Sequence, residues 1–324
     1  MASMEQSQKK KKKKNIPLLI AELFFMLIFL AGTGILLYPT ASDLWNNYRN
    51  GQLMTDYMAV VSTIKEEDYT KYWQEARIYN SEIDANVIKD TFDEENQKDI
   101  KTYPYEDILN PMGNRIMGFI DIPKINVRLA IYHGTSAEVL DLGCGHIEGT
   151  CLPIGGIGNH SVLSAHRGLP SAKLFTDLDL LVEGDIFVIN VLNEKLAYKV
   201  DQILTVLPSE LEALAIEPDK DLVTLVTCTP YGINSHRLLV RGIRTEYTDE
   251  ELKKVTAVSY EAVRSPLEGL DEKKRMLVLG GAAALVGIFL LSILFRISDR
   301  RKRKRRERER LAREKLEQEK KDSE

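Results

Sequence analysis

Cys228 closes an apolar run, Leu222-Val223-Thr224-Leu225-Val226-Thr227-Cys228, and Arg237 follows nine residues later within Arg237-Leu238-Leu239-Val240-Arg241. His166 ends a similar run, Ser161-Val162-Leu163-Ser164-Ala165-His166. A buried strand that stops at a cysteine, followed by a second strand carrying an arginine, sets a nucleophile and a cation side by side on one sheet. Cys, His and Arg at strand ends are the parts needed for acyl transfer through a thioester. A thiol with an ordinary pKa near ~8.5 is mostly protonated at neutral pH, so a nucleophilic Cys228 needs an ion-pair partner. His166 can be that partner, or the acid that protonates a leaving amine. Arg237 stays charged and cannot be a base; its task would be to hold the substrate backbone and stabilise an oxyanion. The five histidines lack Cys-x-x-Cys or His-Glu-x-x-His contexts, so no metal site is expected and His146 and His160 are read as loop or core residues. Cys144 and Cys151, seven apart among glycines, could pair, which would leave Cys228 free.

The formal charge of −4 hides an asymmetry: residues 1–15 carry +5, residues 296–324 carry +6, and the remainder carries −15. Basic ends can bind nucleic acid, but their neighbours argue for membrane orientation. Residues 17–38 are apolar apart from Glu22, and residues 276–295 contain no charge. Each is long enough to cross a hydrocarbon core of roughly 30 Å as a helix. Lys9 to Lys14 precede the first and Arg296 to Arg306 follow the second. The positive-inside bias therefore puts both termini in the cytoplasm and the acidic middle outside. The first stretch exceeds the ~7–15 apolar residues of a signal peptide and no Ala-x-Ala site follows it, so a retained anchor is expected.

Between the spans, Leu44, Trp45, Tyr48, Met54, Tyr57, Met58, Val61 and Ile64 recur at helical spacing, and Tyr69, Tyr72, Trp73 and Ala76 form a second packing face. Residues 84–106 are polar, acidic and aperiodic. From Ile116 onward the chain becomes a series of short Val/Ile/Leu-rich runs: Ile116 to Ile122, Val127 to His133, Ser161 to Ala165, Ile186 to Leu192, Leu196 to Val206, Leu222 to Cys228 and Arg237 to Ile243. Such strands without interleaved long helices predict a mainly β sandwich or closed barrel. Thr248-x-x-Glu251 resembles a capping box opening a helix that leads to the second span. The expected organisation is a basic cytoplasmic tail (1–15), a transmembrane helix (16–38), a helical segment (39–83), a connection (84–115), a catalytic β-barrel (116–247), a helical stalk (248–275), a transmembrane helix (276–295) and a basic cytoplasmic tail (296–324).

Thr224-Leu225-Val226-Thr227-Cys228-Thr229-Pro230-Tyr231-Gly232 with Asn234-Ser235-His236-Arg237 resembles the active-site signature of sortases, cysteine transpeptidases of Gram-positive cell surfaces. Met117-Gly118-Phe119-Ile120-Asp121-Ile122-Pro123-Lys124-Ile125, Ile131-Tyr132-His133-Gly134-Thr135, Gly145-His146-Ile147-Glu148-Gly149-Thr150 and Ala165-His166-Arg167-Gly168 extend the resemblance over about 116–245. Two membrane spans and a helical segment before the barrel resemble class C, the pilin-polymerising branch. The resemblance implies a closed sortase-type β-barrel with N-terminal helices and two flanking transmembrane helices. It assigns catalysis to Cys228, His166 and Arg237, with Arg241 the competing arginine. It also matches Asp90-Thr91-Phe92 to a regulatory lid, Asp90 facing Arg237 and Phe92 covering Cys228. Thr91 replaces the proline of that motif, which makes the turn less rigid.

What the resemblance implies is cleavage of an LPXTG-like sorting signal between Thr and Gly. The acyl group would rest on Cys228 as a thioester and pass to an amine, either a pilin lysine or a cell-wall precursor. One amide is exchanged for another, so no nucleotide, metal or organic cofactor is required, and nucleic acid is not a partner. Alternatives are a housekeeping or L,D-type cell-wall cysteine transpeptidase, hinted at by His133-Gly134-Thr135, and a non-catalytic membrane scaffold. The L,D type wants a Ser-x-Gly-Cys-x-Arg cluster, which this sequence lacks.

Overall fold

The computed structural model describes residues 16–83 and 105–247, together with scattered positions between 275 and 314. Asp90 and Phe92, the stalk over 248–274 and most of the 276–295 span lie outside the described residues. The chain divides into two units, Met1–Pro266 and Leu267–Glu324. In the second, the described residues are helical, and Arg305–Glu309 and Arg310–Glu314 form ion pairs at 3.0 Å four residues apart.

The first unit opens with two helices, α1 (Ile16–Val61) and α2 (Glu66–Glu82). The expected membrane segment (16–38) and the start of the expected helical segment (39–83) lie on one helix, α1, which runs through Pro39 without a break. A proline removes one i→i−4 bond, and the turns on either side carry the helix past it. The segment from Phe24 contains a window of mean hydropathy 1.8 with none of it buried, and Phe25 and Leu36 are among its most exposed side chains. Further on, Asn50, Met54, Tyr57 and Val61 are buried at helical spacing, so the second half of α1 is a packing face. Tyr57 anchors it: its hydroxyl donates to Met117 O at 2.9 Å and accepts from Leu192 N at 2.8 Å, and its ring meets Phe119 edge-on. Trp45, expected on that face, is instead exposed. On α2 the expected aromatic face packs partly against the core, and Asn80 completes it by bonding both the N–H and the carbonyl of Leu152.

Eight strands then close a barrel: β1 (Ile116–Ile122), β2 (Val127–His133), β3 (Cys144–His146), β4 (Asn159–Ser164), β5 (Ile186–Val191), β6 (Glu194–Val206), β7 (Asp221–Thr229) and β8 (His236–Arg244). Their order around the wall is β1-β2-β3-β4-β7-β8-β6-β5, with β5 returning to β1. Two neighbouring pairs, β2/β3 and β4/β7, are parallel; the rest are antiparallel. Closure removes free sheet edges. Seven strands fall where the apolar runs predict them. The eighth, β3, is only three residues, Cys144-Gly145-His146, too short and too glycine-rich to give an alternating pattern. A short helix, α3 (Ala137–Leu142), precedes it, with the Val139 N–H on the Ser136 hydroxyl at its start. The barrel core holds Phe119, Ile120, Ile131, Leu163, Phe175, Phe187, Tyr198, Leu225 and Val240, all fully buried. Where β6 passes β8, an extra residue, Asp201, bulges between Val200 and Gln202.

Candidate active site

The register of three adjacent strands assembles the candidate residues. In β7 and β8, Cys228 stands directly opposite Arg237, so both side chains project from the same face of the sheet. On the other side of β7, β4 runs parallel with Ser164 opposite Val226. Carrying that register two residues on sets His166 beside Cys228, and the Ala165 N–H bond to Val226 O at 3.2 Å holds the chain in line. Side chains alternate along a strand, so a chain keeping this register past Ser164 would turn His166 to the face of Cys228 and Ala165 to that of Thr227. The Thr227 hydroxyl donates to Ala165 O at 2.8 Å, a fully buried clasp directly before both candidates.

Cys228 and Arg237 are each only 8% exposed, while 29% of the His166 side chain is open to solvent. Arg237 Nη1 donates to the carbonyls of Asn234 at 3.2 Å and His236 at 3.3 Å, which fixes its guanidinium beside the strand end. Burial pushes the His166 imidazole below its ordinary pKa, and the Asp141 carboxylate, 3.9 Å from Nε2, works in the opposite direction. Asp141 sits on α3, and no sequence motif marks it.

The remaining thiols and imidazoles have other surroundings. Cys144 and Cys151 are free and fully buried, so the pairing open to them by spacing does not form. Burial raises both thiol pKa values, which leaves them protonated at neutral pH. His146 is pushed down to about 3 by burial and bonds Tyr105 and the Cys151 carbonyl. His160 bonds the Ala215 carbonyl and the Thr224 hydroxyl, so both are core residues, as their context implies. His133 is fully buried, with its ring nitrogens on Arg115 O and Ile108 O. Gly134 and Thr135 thus follow a structural histidine. Arg241, opposite Thr224, lies about 13 Å along β8 from Arg237 at ~3.3 Å per residue. It forks onto Asp201 at 2.7 and 3.1 Å and reaches Glu217 at 2.6 Å.

A family profile described as Sortase domain matches residues 120–245, which cover most of the barrel. Sortase A of Streptococcus agalactiae serotype III (strain NEM316) is 28% identical over 168 residues, 49% of this chain and 66% of that relative's length. Sortase C-1 of Streptococcus pneumoniae matches at a TM-score of 0.55 with 42% identity, over 61% of this chain and 100% of the solved one. Sortase C1 of S. agalactiae matches at 0.54 with 46% identity, again over 61% and 100%. Sortase C-1 of Actinomyces oris matches at 0.52 with 43% identity, over 56% and 99%. With whole solved chains accounted for at this identity and the domain profile lying over the barrel, the chain belongs to the sortase family of cysteine transpeptidases, and these structural neighbours are its class C members.

Proposed function

We propose that this chain is a membrane-anchored class C sortase that cleaves an LPXTG-like sorting signal and joins the released acyl group to an amine, a lysine of a pilin subunit. The observation that carries this reading is Cys228 directly opposite Arg237 across β7 and β8, with His166 two residues past the end of β4, whose Ser164 pairs with Val226. The Cys228 thiolate attacks the Thr carbonyl carbon of the Thr–Gly amide. Arg237, directly opposite Cys228, places its guanidinium charge beside the thiol to stabilise the oxyanion. His166, whose proton is made easier to release by burial, protonates the departing Gly nitrogen as the C–N bond breaks. The acceptor amine then attacks the thioester, loses a proton to His166, and expels the Cys228 thiolate. The test is to incubate the full chain in detergent with candidate sorting peptides and mass-map the acyl-enzyme. An adduct on Cys228 supports the reading. A Cys228 that reacts with thiol probes like any ordinary thiol and forms no adduct favours a scaffold.

The membrane part of the reading rests on α1. Its exposed apolar stretch reaches Tyr38, and four residues later Ser42 bonds Ser171 O at 2.6 Å, joined there by Asn46. Asp43 accepts from Lys173 N at 3.2 Å. Four helical residues span only about 6 Å, so the barrel would ride close to the bilayer, with exposed Trp45 at the headgroup level. Protease added to protoplasts should digest the 39–275 region and spare both termini, because the Lys9 to Lys14 and Arg296 to Arg306 runs oppose translocation. Digestion of a tag placed after Glu324 would refute the two-span topology.

The class C resemblance also supports a lid formed by Asp90 and Phe92. Released together by Asp90→Ala and Phe92→Ala, such a lid should speed Cys228 alkylation by roughly tenfold, equivalent to ~1.4 kcal/mol. The melting temperature should stay nearly constant. Unchanged alkylation kinetics in the folded double variant would show that these residues cover nothing.

A further inference from the structure

We infer that Arg167 is a positioning residue that locks His166 against Cys228 by tying the loop after the histidine to the strand end after the cysteine. This rests on the catalytic reading above. Arg167 Nη1 donates to the Thr229 hydroxyl at 3.2 Å, and Nη2 donates to Asp179 Oδ2 at 2.6 Å. Thr229 directly follows Cys228, as Arg167 directly follows His166. Together with the Thr227–Ala165 bond, the residues before and after the candidate pair are clasped across β4 and β7. His166 and Cys228 are bracketed on both sides.

Three observations show that this clasp does more than fill space. The Arg167 side chain is only 9% exposed, although it is charged. Its Nε is buried and has no hydrogen-bond partner among the described residues. A buried cation with an unsatisfied donor is a poor choice for stability alone. Finally, the loop's other described ties run within itself, by Phe175 N to His166 O at 3.1 Å and Gly168 N to the Thr176 hydroxyl at 3.1 Å, and from Ser171 and Lys173 to α1 and Ile125, none of them reaching the strand end after Cys228. Gly168, at φ +80°, lies under the Tyr231 ring, and a methyl group there would come within 2.9 Å of it. Without the Arg167 fork, no described side-chain bond ties the chain just after His166 to the strand end just after Cys228. A near-attack geometry tolerates little movement between the two.

The test compares Arg167→Ala, Arg167→Lys and Thr229→Val in the full chain in detergent. Arg167→Ala should lower kcat on the order of 10- to 100-fold, with KM within about twofold, because orientation is lost and substrate contacts are not. Arg167→Lys, which keeps the charge but reaches only one partner, should fall between the wild type and Arg167→Ala. Thr229→Val should act in the same direction. The double variant Arg167→Ala/Thr229→Val should be no worse than Arg167→Ala alone, since both break one link. A second readout needs no turnover: the pH profile of Cys228 alkylation should move toward that of an ordinary thiol, near ~8.5, as the histidine drifts away. A folded Arg167→Ala with wild-type kcat and alkylation profile overturns the inference, as does fully additive loss in the double variant. A rise in KM alone overturns it too, by making Arg167 a substrate contact. If the wild type forms no acyl-enzyme, the catalytic reading fails separately, and the alkylation profiles of Arg167→Lys and Thr229→Val still decide the positioning role.

Discussion

Cys228→Ala is expected to remove both peptide cleavage and transfer to an amine, a loss of at least roughly 10⁴-fold and down to background, because the acyl group then has no sulfur to rest on. The other two thiols cannot take over. Cys144 and Cys151 are fully buried, and burial raises their pKa values, so neither offers a thiolate or an open approach. The fold should tolerate the change. Cys228 lies near the end of β7, where its neighbour Thr229 is already only half-buried, and alanine removes one atom without stranding a buried charge. Product chromatography with a labelled sorting peptide measures the activity, and intact-mass analysis locates the adduct. A thioester on Cys144 or Cys151 in the wild-type protein would sink the assignment.

Much of this site is legible in the sequence because strand ends are legible. Apolar runs bounded by Gly, Pro, Asn and Asp gave seven strands nearly to the residue, and Cys228, His166 and Arg237 each sit at a run's end. Period-2 alternation carries the rest: once β7 is set beside β8, Cys228 and Arg237 must share a face, and the register of β4 beside β7 leads the chain to His166 two residues later. What escaped has a physical reason in each case. β3 spans three residues, below any periodic signal. Asn50 and Asn80 are buried polar residues, and Asn80 finds its partners seventy-two residues away at Leu152. Arg167 and Thr229 are 62 residues apart, and only strand pairing joins them. Nothing local distinguishes Asp141 from the other acidic residues of an acidic chain, although α3 sets it 3.9 Å from His166.

Arg237→Lys should be the second most damaging single change, lowering kcat/KM on the order of 100-fold while the protein stays folded. The argument turns on what each arginine of β8 is attached to. Arg237 stands opposite Cys228, beside the thiol on which the acyl group would form, and Nη1 donates to the Asn234 and His236 carbonyls. An ammonium keeps the charge but cannot hold those carbonyls and an oxyanion in one plane. Arg241 is committed elsewhere: its fork closes on the Asp201 bulge and on Glu217, about 13 Å further along the strand. Arg241→Lys should therefore leave kcat/KM within a few-fold and instead cost about 1–3 kcal/mol of stability through lost charge-assisted bonds. That loss lowers the melting temperature by about 2–4 °C per kcal/mol for a domain of this size. Paired measurements of kcat/KM and melting temperature on the two variants separate the roles. If Arg241→Lys proved the more damaging to catalysis, with Arg237→Lys shifting only the melting temperature, the oxyanion assignment would belong to the other arginine and the cross-strand alignment with Cys228 would lose its meaning.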